Sequence, residues 1–284
     1  MTYDIAKRNI DVSEEYRRYC LEKHIPFEVV SSIKSYDETT LFCPAGMQQY
    51  KKFFKDATYQ NYTICNIQSC LRLNDLDCLG DGTHFGYFNM IGTFSFRHWS
   101  VQQTIDFWME FLMKNLGLKI DYVTIHPDKS DWKNFYNIEI KHDDECKWSD
   151  GEIGGYCTEF YINNIEIGNI VNPLNNCIDV GFGLERLDGI INNTQSKSYE
   201  EILENTILKI IECGYTPSNT KQGYVLRKLI RLLYKKGHHL NHPFFLKEVE
   251  RQRNMIDRYH KLLPKNPNKT KEWWYQTHGV EIED

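Results

Sequence analysis

The sequence predicts an α+β protein, in which helices flank an antiparallel sheet in residues 1–195 and a small helical domain occupies residues 196–284. Two observations lead to this prediction. Up to about residue 195, short strand-like runs are separated by turn residues with few helices between them, which favours antiparallel pairing over parallel strands joined by crossover helices. From Tyr199 onward, three apolar patterns of helical period follow one another.

The first elements predicted are a helix, a strand and a strand pair. Asp11 and Ser13 are typical helix N-caps, and they precede the helical run EEYRRYCLEKH and the strand-like PFEVVSS. The runs NYTICNIQSCLRL and YFNMIGTFSF follow, separated by NDLDCLGDGTHFG, a stretch rich in glycine and aspartate. We expect these two runs to pair as strands, with this stretch as the connecting loop.

The middle of the chain predicts one amphipathic helix and a series of strands. In VQQTIDFWMEFLMKNLG, apolar residues recur at three- and four-residue spacing and Gly117 ends the pattern, as expected for Ile105, Trp108, Leu112 and Leu116 on one helix face. We interpret this stripe as core rather than as a binding surface. Short strand candidates follow in the order DYVTI, NIEI, CTEFYI, EIGNIV and CIDVG.

The last third of the chain is helical and basic. Its three helical patterns are YEEILENTILKIIECG, QGYVLRKLIRLLYKKG and LKEVERQRNMIDRYHKLL. From Lys221 to Lys271 there are 14 lysines and arginines but three acidic residues, a net charge of +11, whereas the rest of the chain carries −16. Residues 221–271 therefore suggest an anionic partner such as nucleic acid, although solvated helix faces would produce the same pattern.

Composition narrows the class of protein. With 284 residues, of which 41 % are hydrophobic and 26 % charged, the chain has the composition of a folded globular protein. No apolar run reaches the roughly 20 residues that cross a bilayer, and the N-terminus lacks the apolar core of a signal peptide. We therefore expect a cytoplasmic protein without a membrane partner.

The cysteines and histidines predict no metal site by side-chain motif. Nine cysteines without a CxxC pair fit neither a disulfide framework nor a common zinc motif, so we expect them to be reduced and mostly buried. His238 and His242 form an HxxxH pair, but no third ligand accompanies them.

The segment IDVGFGLERL places two glycines, an acid and an acid–base pair within an apolar run. It is not a common nucleotide loop, because GxxxxGK[ST] is absent from the chain and the third glycine of GxGxxG is missing. A strand that enters a helix at Leu184 would let a flat ligand lie against the glycine backbone. Arg186 would then bind a terminal phosphate and Asp179 an ammonium group. A strand-to-helix turn with a surface ion pair is the alternative.

A second candidate region surrounds the predicted strand pair. Arg72 ends one strand, and Tyr87, Phe88 and Met90 return on the next. An arginine opposite a returning aromatic strand can bind an α-phosphate while a ring stacks on a purine. A charged hairpin edge with an apolar inner face would give the same pattern.

Taken in order, these segments resemble the aminoacylation core of the alanyl-tRNA synthetase family, which belongs to the class II synthetases. QSCLR and YFNMIGTFSF resemble the second class motif, CVR…FFEMLGNFSF, and IDVGFGLERL resembles the third, VDTGMGLERI. Five further segments resemble parts of the same family: SEEYRRYCLEKHIPFEVVSS, LFCPAGMQQYKKFF, IEIGNIV, QGYVLRKLIRLL and YQTHGVEIED. The resemblance covers most of the chain and implies a class II antiparallel sheet followed by part of a helical tRNA-recognition region.

The resemblance also implies an enzyme, a ligase that uses ATP and Mg²⁺ to convert a small amino acid, with alanine favoured, into an aminoacyl-adenylate and then acylates tRNA. Arg72 and Arg186 would be catalytic, contacting the α- and γ-phosphates. The implied ATP-binding set is Arg72, Asp75, His84, Phe88, Asn89, Met90, Gly183 and Arg186. The implied amino-acid-binding set is Met47, Trp148, Asn169, Val171, Asp179 and Gly181, with Glu166 as a candidate ligand of the Mg²⁺ that accompanies ATP.

The chain departs from the family pattern in ways that keep alternatives open. Only Leu73 separates Arg72 from Asn74 where the family has a longer loop. Four single residues also differ from the family pattern. Thr83 stands where the family has Arg, Asn89 where it has Glu, Thr93 where it has Asn and Gly168 where it has Trp. The sequence also ends at Asp284, before the family's later recognition helices and editing domain. One alternative acceptor is a carrier protein or small molecule, and a further alternative is a non-catalytic regulatory paralogue.

Overall fold

The computed structural model describes residues 10–173, 176–194, 197–278 and 280, and the chain divides into two compact units, Met1–Ser198 and Tyr199–Asp284. The final family-like segment, YQTHGVEIED, lies partly outside the described residues. The first unit contains α1 (Val12–Glu22), β1 (Phe27–Val30), α2 (Lys51–Lys55), β2 (Tyr62–Leu71), β3 (Tyr87–Phe96), α3 (Val101–Glu110), β4 (Tyr122–Ile125), β5 (Glu139–His142), β6 (Lys147–Ser149), β7 (Gly154–Ile162), β8 (Ile165–Pro173), β9 (Cys177–Gly183) and α4 (Leu184–Asn192). The second unit contains α5 (Tyr199–Glu212), α6 (Lys221–Lys235), α7 (Pro243–Leu262) and α8 (Lys271–His278).

The strands form one sheet in the order β1-β2-β3-β9-β8-β7-β4-β5, with β6 also paired to β7. The predicted α+β class is confirmed, as is the antiparallel pairing of β2 with β3. Two pairs near the sheet edges, β1 with β2 and β4 with β5, are parallel. In both pairs the connection contains a helix, α2 or the 3₁₀ helix Pro127–Phe135, which supplies the longer crossover that parallel strands require.

The predicted helix stripe of α3 packs into the core. Ser100 and Gln103 form a capping box at its start, which satisfies two backbone donors of the first turn. Ile105 and Trp108 are fully buried, and the indole of Trp108 stacks on Phe182 of β9 at 4.3 Å between ring centroids. The stripe is therefore core, as predicted, and it supports the strand that carries part of the candidate site.

Two rows of directly paired residues cross β7, β8 and β9. One row is Glu159, Asn169 and Gly181, and the other is Cys157, Val171 and Asp179. Residues opposite each other on paired strands share a face, and so do residues two apart on one strand. Both rows therefore lie on the same face of the sheet and form the floor of the site described below.

The second unit is held together by an apolar core and by one buried carboxylate. Glu248 on α7 is 3 % exposed and accepts hydrogen bonds from Arg227 Nε at 3.0 Å and Arg231 Nε at 2.9 Å, both on α6. A buried charge without such partners would be strongly destabilising. These contacts consequently fix the packing of α6 against α7.

The structure also bears on the state of the cysteines and on membrane-spanning helices. The cysteines are free thiols, and all but Cys78 and Cys213 are buried, as predicted. Within the ranges described, none of the helices combines the length and the hydropathy that a membrane span needs.

Candidate active site

Most of the predicted site residues line one cavity of about 360 Å³ in the first unit. The predicted residues on its wall are Arg72, Asp75, His84, Phe88, Met90, Trp148, Glu166, Asn169, Val171, Asp179, Gly181, Gly183 and Arg186. They come from the β2–β3 hairpin, from β6 to β9 and from the start of α4. The fold thus brings the segments around Arg72 and IDVGFGLERL to a single concave surface.

Two predicted residues are not on the cavity wall. Met47 is 1 % exposed and packs in the aromatic cluster around Tyr50 and Phe94. Asn89 faces Glu185 instead, donating from its backbone N at 2.9 Å and from its side-chain Nδ2 at 2.9 Å. Asn89 therefore positions the Glu185 carboxylate, which is itself on the wall and was not predicted.

Arg72 lies just beyond the end of β2, where its guanidinium is held from two sides. Its Nε donates to the carbonyl oxygen of Pro44 at 2.8 Å. The guanidinium carbon lies 5.3 Å from the ring centroid of Phe88, which faces it from the start of β3. This places the Arg72 cation beside the aromatic face of Phe88, so that both groups border the same part of the cavity.

Arg186 occupies the first turn of α4 and is held by two backbone carbonyl groups. Its Nε donates to the oxygen of Thr83 at 2.8 Å, and its Nη1 donates to the oxygen of Glu166 at 2.8 Å. The same Nη1 lies 3.8 Å from the Glu166 carboxylate. Arg186 is thus fixed between the hairpin loop and β8, with its charge directed to the cavity that it lines.

The loop that contacts Arg186 is stabilised by its own aspartate. The Oδ1 atom of Asp81 accepts from the backbone N of Thr83 at 2.7 Å and of His84 at 2.9 Å. His84 Nδ1 lies 2.6 Å from the other carboxylate oxygen. These bonds hold the Thr83 carbonyl group in the position where Arg186 reaches it.

Asp179 is a half-buried carboxylate on the cavity floor. Burial, followed by the nearby Asp150 carboxylate, raises the pKa of Asp179 to about 7, although the positive charge of Arg72 opposes this effect. Across the described ranges, no protein donor is hydrogen-bonded to the carboxylate. An acid in this condition is suited to accept a cationic group from a ligand.

The part of the cavity around Glu166 and Glu185 contains acidic as well as basic side chains. Burial, followed by the charge of Glu159, raises the pKa of Glu166, while Arg186 and Arg72 lower it. Burial also raises the pKa of Glu185. Glu159 and Glu185 were not predicted as site residues. Glu159 lies outside the family-like segments, and Glu185 lies within IDVGFGLERL, where the residue pattern indicates no ligand for it.

Glycines bring backbone close to the cavity. A Cβ atom on Gly168 would lie 2.3 Å from the Phe182 ring and 2.6 Å from the carbonyl oxygen of Gly181. A Cβ atom on Gly181 would lie 2.7 Å from the sulfur of Met90. No side chain fits at Gly168 while Phe182 keeps its place, which accounts physically for glycine at this position.

The two histidines of the HxxxH pair bond to different groups of the second unit. His238 Nε2 bonds to the Glu204 carboxylate, whereas His242 Nδ1 accepts from the backbone N of Phe244 and caps α7. The two histidines thus have separate structural roles.

Comparison with known proteins identifies relatives for most of the chain. Residues 13–149 match the protein family described as tRNA synthetases class II (A). The chain is 28 % identical to the alanine–tRNA ligase of Buchnera aphidicola subsp. Schizaphis graminum, over 86 % of this chain and 38 % of that protein. It is 30 % identical to the alanine–tRNA ligase of Endomicrobium trichonymphae, over 73 % of this chain and 32 % of that protein. The chain therefore spans less than half the length of these curated relatives.

A solved structure with a similar arrangement is the pyrrolysyl-tRNA synthetase of Desulfitobacterium hafniense. It is 11 % identical and aligns with 71 % of this chain and 75 % of its own, with a TM-score of 0.42. Over most of its length the chain is therefore a homologue of the alanine–tRNA ligases, and residues 13–149 are similar to the tRNA synthetases class II (A).

Proposed function

We propose that the first unit activates a small amino acid, with alanine favoured, by joining its carboxylate to the α-phosphorus of ATP. The observation that supports this most directly is that Arg72, Arg186 and Asp179 line the same cavity. Two arginines suit the phosphates of ATP, and an acid that accepts no hydrogen bond from the described residues suits the ammonium group of an amino acid.

At the nucleotide end, Phe88 would provide a ring face for adenine and Arg72 would contact the α-phosphate. Arg186 would contact the terminal phosphate, since carbonyl groups of the hairpin loop and β8 orient its guanidinium. Asp75, His84, Met90 and Gly183 complete this part of the wall. Asn89 would act through Glu185, whose carboxylate it holds.

At the amino-acid end, Asp179 would pair with the ammonium group, while Trp148, Asn169 and Val171 limit the room for the side chain. Val171 is paired directly with Asp179 across β8 and β9, so a side chain longer than a few atoms would meet the floor of the cavity. A small amino acid is the expected substrate for such a pocket.

The chemistry of activation needs positioning rather than a general base, because the amino-acid carboxylate is already ionised at neutral pH. A carboxylate oxygen attacks the α-phosphorus, the bond to the bridging oxygen of pyrophosphate breaks, and pyrophosphate leaves with the electron pair. Arg72 and Arg186 would stabilise the charge that builds on the phosphate oxygens. This arrangement yields an aminoacyl-adenylate.

The residues of the cavity also fit the Mg²⁺ that accompanies ATP. Burial and the nearby Glu159 carboxylate raise the pKa of Glu166, so a divalent cation would relieve the crowding of negative charge there. Glu166 would be the protein ligand, and when bound the ion would neutralise phosphate charge.

The proposed acceptor is tRNA, bound through the second unit. A cavity of about 680 Å³ in that unit is lined by Arg251 and Arg258, and also by Arg227 and Arg231, which pair with the buried Glu248. Arginines grouped with tyrosines and amides, here Tyr224, Asn219 and Asn254, are suited to phosphate and base contacts. A hydroxyl of the terminal ribose would then attack the aminoacyl carbonyl carbon, and AMP would leave.

Exchange of label between pyrophosphate and ATP, measured with each amino acid in turn, tests the activation step. We expect exchange with alanine or another small amino acid, and a loss of about 100-fold or more in the Arg186→Ala variant. Arg17→Ala, which changes an exposed arginine of α1, is the matched control and should leave exchange unchanged. Absence of exchange with every amino acid would contradict the proposal.

A further inference from the structure

A second cluster of reactive side chains lies beside the amino-acid end of the cavity. The sulfur atoms of Cys146 and Cys157 and a carboxylate oxygen of Glu159 all lie within 4.8 Å of one another. The two sulfur atoms are 3.4 Å apart, and Cys157 Sγ is 3.7 Å from Glu159 Oε1. In a tetrahedral zinc site the metal–sulfur bonds are about 2.3 Å and the metal–oxygen bonds about 2.1 Å. The ligand atoms of such a site lie at similar distances from one another.

The backbone fixes all three side chains. Cys157 and Glu159 are two residues apart on β7 and share the face that forms the floor of the cavity. Cys146 directly precedes β6, and its carbonyl oxygen accepts from the backbone N of Cys157 at 3.0 Å. Two of the three residues thus lie on a strand, and the third is tied to that strand by a backbone hydrogen bond, which gives the cluster the rigidity that a metal site needs.

Neighbouring hydroxyl groups orient the carboxylate. Glu159 Oε2 accepts from Tyr161 Oη at 2.8 Å and from Thr124 Oγ1 at 3.2 Å. This leaves Oε1 on the side of Cys157. Hydrogen bonds to the non-ligating oxygen are a common feature of carboxylates that bind metals, because they fix the direction of the other oxygen.

No cationic side chain in the described ranges pairs with the carboxylate of the cluster. Glu159 forms no salt bridge with a lysine or arginine there, and its hydrogen-bond partners are hydroxyl groups and a thiol. Buried cysteine often serves only as a small apolar residue. Here, however, Cys157 faces a carboxylate, which is a poor neighbour for a purely apolar role.

We propose that Cys146, Cys157 and Glu159 bind a zinc ion whose fourth coordination position opens to the cavity. Two thiolates and a carboxylate are zinc ligands, and three protein ligands leave one position for water or substrate. Glu159 itself lines the cavity. Val171 and Trp148, the walls of the amino-acid end, pack directly against Cys146 and Cys157. Binding of the ion releases the two thiol protons.

This position has a consequence for the substrate, which rests on the proposed function. Cys157, Val171 and Asp179 form one row across neighbouring strands. If the ammonium group binds Asp179, the amino-acid side chain extends over Val171 toward the ion. A small side chain with a thiol or hydroxyl group would then supply the fourth ligand. Among the small amino acids of the proposed function, the ion would therefore favour such a side chain over the methyl group of alanine.

Metal analysis of the purified full chain tests the site without reference to activity. After saturation with Zn²⁺ and removal of the excess, we expect about one zinc per chain, and on replacement with Co²⁺ we expect the absorption of a thiolate-bound ion. Cys157→Ser and Glu159→Gln should each weaken Zn²⁺ binding about 100-fold or more, and Tyr161→Phe about 10- to 100-fold. Cys213→Ser, in the second unit, is the matched control and should keep full binding.

Three outcomes would overturn the inference: a wild-type chain without bound zinc, full binding by folded Glu159→Gln, or a Cys146–Cys157 disulfide in place of the ion. For the open position, L-cysteine should change the Co²⁺ spectrum more than L-alanine does, and an unchanged spectrum would overturn that part. Bound zinc without any ATP–pyrophosphate exchange would contradict the proposed function alone. If the chain bound no Zn²⁺ after saturation but still catalysed ATP–pyrophosphate exchange, the zinc site alone would be contradicted.

Discussion

At the scale of single residues, the amino-acid end of the cavity depends on the ionisation of Asp179. Its carboxylate loses hydration on the cavity floor and faces the charge of Asp150, so its pKa rises to about 7. A ligand ammonium group would replace the missing hydration and favour the ionised form. Under the proposed function, binding of the amino acid would therefore be linked to loss of the Asp179 proton.

The first prediction concerns the pH dependence of amino-acid binding. Below pH 7 the free protein holds a proton on Asp179 that must leave before the ammonium group binds, so affinity should rise with pH between about 5.5 and 7.5 and then level off. At the acidic end the change should approach tenfold per pH unit. The Michaelis constant for the amino acid in the exchange reaction measures it. An Asp179→Asn chain that kept the same pH dependence would show that another group is responsible.

The second prediction concerns stability. The folded-state pKa of Asp179, about 7, lies above the value near 3.9 of an unfolded aspartate. As pH rises, the unfolded chain therefore loses this proton before the folded chain does. The free energy of unfolding falls between about pH 4 and pH 7 for this reason, and the loss persists at higher pH. Asp179→Asn should stabilise the free protein by an amount on the order of 2 kcal/mol at pH 8 and by much less at pH 4. Urea unfolding at the two pH values measures the difference, and equal effects at both would contradict the assignment.

Motifs indicated Arg72, Asp179 and Arg186 from the sequence because each stands at a fixed place in a recognisable segment. Cys146, Cys157 and Glu159 escaped detection for a physical reason. They meet through the pairing of β7 with its neighbours, and their spacing along the chain matches no common metal motif. Contacts made by strand register can be inferred only when the register is known.

At the scale of elements, β8 and β9 bring the floor of the cavity against the core. Phe182 stacks on Trp108 beneath the sheet and fills the space beside Gly168. The positions of most strands and the pairing of β2 with β3 followed from the sequence pattern. The parallel pairs β1–β2 and β4–β5 did not, because parallel and antiparallel partners present the same pattern in a short strand.

The third prediction tests this close packing. Gly168→Ala should destabilise the protein by about 1–3 kcal/mol, since the new Cβ would overlap the Phe182 ring or displace it from Trp108. Gly189→Ala in α4 is the matched control, because the nearest atom to its Cβ is 3.9 Å away. It should be neutral or stabilising by about 0.5–1 kcal/mol. Thermal and urea unfolding of the two variants measure the contrast, and equal stabilities would contradict the packing described here.

At the scale of the whole molecule, the proposed activation and the proposed tRNA binding fall on different units. The first contains the cavity with Arg72, Asp179 and Arg186, and the second contains the arginine-lined cavity. By residue count, residues 221–271 carry a net charge of +11. Burial decides which of these charges are available, because Arg227 and Arg231 are bound to Glu248 within the unit. That distinction cannot be obtained from composition.

The fourth prediction separates the two units by their response to mutation. Arg251 and Arg258 line the second cavity. The salt dependence of tRNA binding is measured as the slope of log affinity against log salt concentration. Removing one arginine that binds a phosphate should reduce this slope by about 0.7–0.9. The double variant Arg251→Ala/Arg258→Ala should therefore bind tRNA more weakly, with a slope reduced by about 1.4–1.8, and should keep full ATP–pyrophosphate exchange. The matched control is Arg17→Ala/Arg18→Ala on α1, whose arginines pair with Glu14 and Glu15 at the surface. Binding assays at several salt concentrations measure both variants. If the α1 variant lost as much tRNA affinity as the α7 variant, the attraction would belong to charge in general rather than to the arginine-lined cavity.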